Sequence, residues 1–71
     1  MRAEEIEIII ALNNIDFSNA DFDRKFVKTI YQFINAEPEV ELSDEQRTWL
    51  FKLLNKYKSE VPEVFIKYKQ P

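Results

Sequence analysis

Apolar residues return at helical spacing along most of this chain. In LSDEQRTWLFKLLNKY, residues 42–57, Trp49, Leu50, Leu53, Leu54 and Tyr57 fall on one stripe, roughly 140° wide on a wheel that advances about 100° per residue. The start of this element is equally marked. Ser43 is placed to cap it, and Gln46 lies three residues on, where its amide reaches back to the Ser43 backbone in a capping box. Asp44 and Glu45 occupy the first turn, where the helix dipole is positive. Lys52, Lys56 and Lys58 gather towards the other end, and Pro62 disfavours helical geometry at Val61. The pattern predicts a helix over residues 43–59.

A second stripe precedes it. Phe22, Phe26, Val27, Ile30, Phe33 and Ile34 share a face of similar width, which predicts a helix over residues 19–36. With Ser18 as N-cap, Phe17 and Phe22 take the two positions of a hydrophobic staple, and Asp21 and Asp23 lie at the first turn. Pro38 closes the segment. The connection AEPEVEL is short, as between antiparallel neighbours.

The opening stretch EEIEIIIALNNI fits two templates. As a helix it sets Ile6, Ile9 and Ile10 against Ile8, Leu12 and Ile15 on the opposite side; as a strand it alternates Ile6, Ile8, Ile10 and Leu12. Glu4 and Glu5 at the start, the helix formers Ala11 and Leu12, and two helices downstream favour a helix over residues 3–14. Such a helix is apolar on both sides, so it is either buried in the middle of the fold or shared with another molecule. The tail VPEVFIKYKQP admits a short strand, an extended segment, or a helical turn begun at Pro62. The expected fold is therefore all-α: one domain, residues 1–71, a small three-helix bundle with the tail packed over it. The alternative is an α+β fold in which the N-terminal segment and the tail form strands.

The two clearest elements, DFDRKFVKTIYQFI and LSDEQRTWLFKLLNKY, carry a resemblance. With Phe22, Phe26, Leu42, Ser43, Gln46, Leu50 and Leu53 as its defining positions, the stretch from Asp21 to Tyr57 resembles a two-helix segment of small uncharacterised phage and bacterial proteins. Those positions are caps and core. The resemblance implies a helical module that can accompany DNA-processing proteins, and it transfers no site. The zinc-binding Cys found near some such segments have no counterpart here.

Composition narrows the chemistry further. The 71 residues contain no Cys, His or Gly, which removes disulfides, thiolate and imidazole catalysis, zinc-finger ligation and glycine-built phosphate loops. Glu4, Glu5 and Glu7 crowd one short stretch where paired carboxylates could act as acid and base or grip a metal, and they read instead as a helix start complementing its dipole. No cofactor, metal or small-molecule substrate is expected, and no catalysis. No apolar run approaches the roughly 20 residues of a membrane span, and the acidic N-terminus is unlike a signal peptide. A cytoplasmic protein is the expectation.

Charge is uneven. Residues 1–47 hold eleven acidic against five basic residues, and residues 48–71 hold two against five. This asymmetry reads either as a bipolar surface or as residues complementing helix dipoles. Two functional surfaces are candidates. The first is apolar surplus: Tyr31 and Phe51 lie well off their stripes, and with Ile8 and Leu12 of the two-sided first segment they outline a surface for a protein partner or for a second copy in a homodimer. The second is the basic and aromatic cluster Lys52, Lys56, Tyr57, Lys58, Lys67, Tyr68 and Lys69, which has the residue types for non-specific nucleic-acid contact. There is no Arg after Arg47 to read bases. The first surface is favoured, giving a non-catalytic interaction protein, a small accessory or inhibitor plausible for a phage or mobile element.

Overall fold

The structure, a computed structural model, describes residues 1–17, 20–37 and 39–68. Four helices follow one another: α1 (Ala3–Asn13), α2 (Asp21–Ala36), α3 (Asp44–Lys56) and α4 (Pro62–Tyr68), and there is no strand among the described residues. The all-α reading stands and the strand alternative does not. The tail, expected as a segment over a three-helix bundle, contributes a fourth helix. Pro62 sits at its first position, where no amide hydrogen is needed, and Val61 is buried beneath it. The Phe65 amide donates to the Val61 carbonyl at 2.9 Å. None of the helices is long and apolar enough to cross a membrane.

Local chemistry sets the helix ends. Ser43 Oγ accepts from the Gln46 amide at 3.1 Å, and Gln46 Oε1 accepts from the Ser43 amide at 2.9 Å, closing the box read from the sequence. At α1 the return half of the same device appears, with Glu5 Oε1 accepting from the Arg2 amide at 3.0 Å. α2 begins later than its sequence pattern suggests, with Ala20 at the N-cap and no side-chain cap. Ser18 and Pro38, its expected cap and stop, lie outside the described residues. The expected staple is not formed: Phe17 is buried edge-on against Tyr57, with centroids 5.0 Å apart, while Phe22 packs on Trp49.

α1 is the central element and packs against α2, α3 and α4. Its buried residues Glu5, Ile8, Ile9 and Leu12 recur at i, i+3, i+4 and i+7, which is one face about 100° wide. Around them close Val27 and Ile30 of α2, Leu50, Leu53 and Leu54 of α3, and Phe17, Leu42 and Val61 from the connections. α4 has no buried residue of its own. Val64 and Phe65 lie half-buried on the core while Ile66 is 69% exposed. The accessible surface of 4864 Å² is close to the roughly 4,700 Å² expected for a folded monomer of this mass.

Candidate functional site

Ion pairs tie the helices together, and the uneven charge of the chain supplies them. Arg47 on α3 reaches the Glu5 carboxylate on α1 at 2.5 Å, and Glu5 is 1% exposed. Burial alone raises the Glu5 pKa, but hydrogen bonds from Arg47 and from the Arg2 backbone, with the Arg47 charge, prevail and leave it lowered. Glu41 and Asp44 each lie 3.6 Å from the same guanidinium.

The dipeptide Lys-Tyr occurs at 56–57 and again at 67–68, and both copies do the same work. Lys56 Nζ and Tyr57 Oη each donate to Asp23 Oδ2 at 2.7 Å, fastening the end of α3 to the start of α2. Lys67 Nζ lies 3.3 Å from Glu7, and Tyr68 Oη also donates to Glu7, fastening α4 to α1. Desolvation raises the Asp23 pKa, yet the Lys56 and Tyr57 hydrogen bonds outweigh it and the net shift is down; for Glu7 the Tyr68 hydrogen bond is the main cause of a lowered value. Desolvation and the bond to Asp23 raise the Tyr57 pKa.

These pairings redistribute the sequence candidates. Within the basic and aromatic cluster, Lys56, Tyr57, Lys67 and Tyr68 are engaged with carboxylates of α2 and α1, whereas Lys52 and Lys58 lie over the rings of Trp49 and Phe65 at 5.8 and 5.7 Å. Lys69 lies outside the described residues. Glu5 and Glu7 are held by different helices, and no group of three or more carboxylates is arranged to hold a metal ion among the described residues.

Of the expected partner-binding residues, Ile8 and Leu12 are fully buried, which corrects their assignment to a surface. With α4 as a third neighbour beside α2 and α3, α1 is packed along the one face that carries Ile8 and Leu12, while Ile10 on another side stays exposed. Tyr31 and Phe51 are half-buried and pack on the core. Phe51 also lines a shallow groove of about 800 Å³ between the starts of α1 and α3 and the end of α4, with Arg2, Glu4, Thr48 and Tyr68. Arg47 closes that groove with its charge already shared among Glu5, Glu41 and Asp44.

The exposed apolar surface lies elsewhere. Ile10 is 44% exposed, and Phe22 and Ile66 are each 69% exposed. Phe22 is the one set among other rings: it stands edge-on to Trp49 at 5.5 Å with an interplanar angle of 85°, and Phe26 meets the same indole at 6.5 Å and 71°. Its exposure follows from the wheel. Phe22 lies roughly 100° from the centre of the buried α2 face, at the rim of its stripe. Trp49 is half-buried, and its Nε1 is a buried donor with no acceptor among the described residues. Beside the indole is a depression of about 330 Å³ lined by Asp44, Glu45, Thr48 and Lys52. Two helices thus present an aromatic face: Phe22 at its tip, Phe26 and Trp49 beneath, and charged residues around it. The sequence signal for Phe22, its place at the edge of the stripe, was legible, but membership of the stripe marked it as core.

No protein-family model matches this chain, and no curated protein or solved structure is significantly similar to it.

Proposed function

We propose that this protein is a non-catalytic protein-interaction module, a small accessory or inhibitor protein, that docks through the aromatic face of Phe22, Phe26 and Trp49. The observation that carries this reading is Phe22: a ring 69% exposed, yet braced edge-on against an indole. Burying such a ring on a partner is worth roughly 1.5–3 kcal/mol, and aromatic side chains held in position before binding are the usual anchors of interfaces. The groove at Phe51 is a weaker candidate, because its Arg47 guanidinium is committed to carboxylates of the fold. The basic cluster supports nucleic-acid contact poorly for the same reason, since Lys56 and Lys67 serve as tethers.

The test is a matched capture from host extract with wild-type and Phe22→Ser baits. The reading expects at least one protein retained by the first and lost from the second. Identical sets on both baits contradict it.

A further inference from the structure

Where α1 ends and α4 begins, the two helices enclose a groove of about 350 Å³. Its floor is apolar: Ala11 and Ile15 from the end of α1, half-buried, and Val61 and Val64 from the start of α4, the first buried and the second half-buried. Its rim is acidic. Glu60 and Glu63 line it, both exposed, and no basic residue does. Neither carboxylate forms an ion pair among the described residues. The two lysines that flank them in sequence are engaged elsewhere: Lys67, one turn beyond Glu63, lies 3.3 Å from Glu7, and Lys58 rests over the Phe65 ring at 5.7 Å. Glu63 also complements the positive start of α4, but Glu60 lies outside both helices. A second source of negative potential is independent of these side chains. α1 ends on the groove, and its last turn carries no basic residue to offset the partial negative charge of the terminal carbonyls. The connection that forms one wall is already fixed, since the Glu60 and Val61 amides both donate to the Tyr57 carbonyl, at 2.8 and 3.2 Å. A partner meets a prepared surface there.

We propose that this groove is a second docking surface, separate from the aromatic face, and that its occupant is a short segment of another protein carrying an aliphatic side chain beside a Lys or Arg. The aliphatic side chain fills the floor between Ile15 and Val61. The cation lies across the rim, between Glu60, Glu63 and the end of α1, in the place that a basic residue in the last turn of α1 would otherwise take. The volume is at the small end of the roughly 300–1,000 Å³ of ligand sites, which suits one or two side chains of an extended segment rather than a folded domain. An acidic segment is repelled, and a polar one leaves the floor unfilled. The groove is lined from α1, α4 and the adjoining connections alone, so it does not depend on Phe22.

The test is a titration of the isotope-labelled full chain, followed by amide chemical shifts, with three capped tetrapeptides: Lys-Leu-Leu-Lys, Glu-Leu-Leu-Glu and Lys-Ser-Ser-Lys. The first is expected to move the amides of Ala11, Ile15, Glu60, Val61, Glu63 and Val64, with a dissociation constant on the order of 1 mM, and the other two to leave them in place. Raising salt from about 50 to about 500 mM weakens binding several-fold, because the rim charges are screened. The Glu60→Gln/Glu63→Gln double variant removes two exposed, unpaired charges without touching the core, and it weakens binding roughly fivefold. Phe22→Ser binds as wild type does. No shift with Lys-Leu-Leu-Lys up to about 10 mM overturns the proposal. So do shifts confined to other amides, equal shifts with Glu-Leu-Leu-Glu, or a double variant that binds like wild type. Failure of the aromatic-face reading is registered separately, in the capture experiment, and leaves this groove standing.

Discussion

Replacing Glu5 by Gln removes one charge and almost no volume from the centre of the molecule. The wild-type carboxylate is 1% exposed and accepts from Arg47 Nε at 2.5 Å and from the Arg2 amide at 3.0 Å. A hydrogen bond to a charged group contributes roughly 1.5–3 kcal/mol, a neutral one about 1. Gln keeps an acceptor for the Arg2 amide but loses the charge that holds the guanidinium. Arg47 is not stranded by the change, because its side chain is 23% exposed and Glu41 and Asp44 stay 3.6 Å away. The loss therefore falls below the roughly 3–5 kcal/mol of a fully buried pair cut in half, and Glu5→Gln should cost about 2 kcal/mol. For a chain this short that is a large share of a total stability of roughly 4–11 kcal/mol. It corresponds to a melting temperature lower by roughly 8–16 °C. Urea unfolding followed by circular dichroism reads it directly, as a lower midpoint at unchanged slope. The effect has a signed pH dependence. The Glu5 pKa is lowered on folding, so its contribution is present above the ordinary carboxylate range near pH 4 and disappears as pH falls through the folded value. Wild type and Glu5→Gln should converge in acid. Equal stability at neutral pH, or a gap that persists once the carboxylate is protonated, refutes the reasoning.

The two Lys-Tyr clamps give further predictions. Asp23→Asn should cost about 1–2 kcal/mol at neutral pH and return the Tyr57 hydroxyl, raised by desolvation and by Asp23, towards its ordinary pKa, visible as an earlier tyrosinate transition in ultraviolet absorbance. Glu7→Gln should speed hydrogen exchange at the amides of α4, a helix without buried residues, while α3 stays protected; uniform acceleration throughout would show that the clamp holds the whole fold rather than α4.

The sequence made the two middle helices readable because their signals are local. The Ser43–Gln46 box, the stripe from Trp49 to Tyr57 and the stripe on α2 all lie within one element. The central position of α1 was also legible, from isoleucines on both of its sides. What covers α1 was not. Pro62 left three forms of the tail open, and counting one neighbour too few sent Ile8 and Leu12 to the surface when α4 was available to help cover their face. The ion pairs were hidden for another reason. Glu5 and Arg47 are 42 residues apart, and Tyr68 and Glu7 are 61 apart, so no periodicity relates them. The cluster read as a basic surface is in large part the donor half of those pairs. Phe22 failed in the opposite sense: periodicity placed it on a stripe, but only the packing of α2 against α3 decides that the rim of the stripe faces water.

The claim that the Phe22 ring serves a partner rather than the core is tested most directly by the unfolding free energy of Phe22→Ser. A ring 69% exposed, with one edge-to-face contact, predicts a loss of about 1 kcal/mol. A loss of 3 kcal/mol or more, about that of truncating a buried phenylalanine, would place the ring in the core and leave the aromatic face without its anchor.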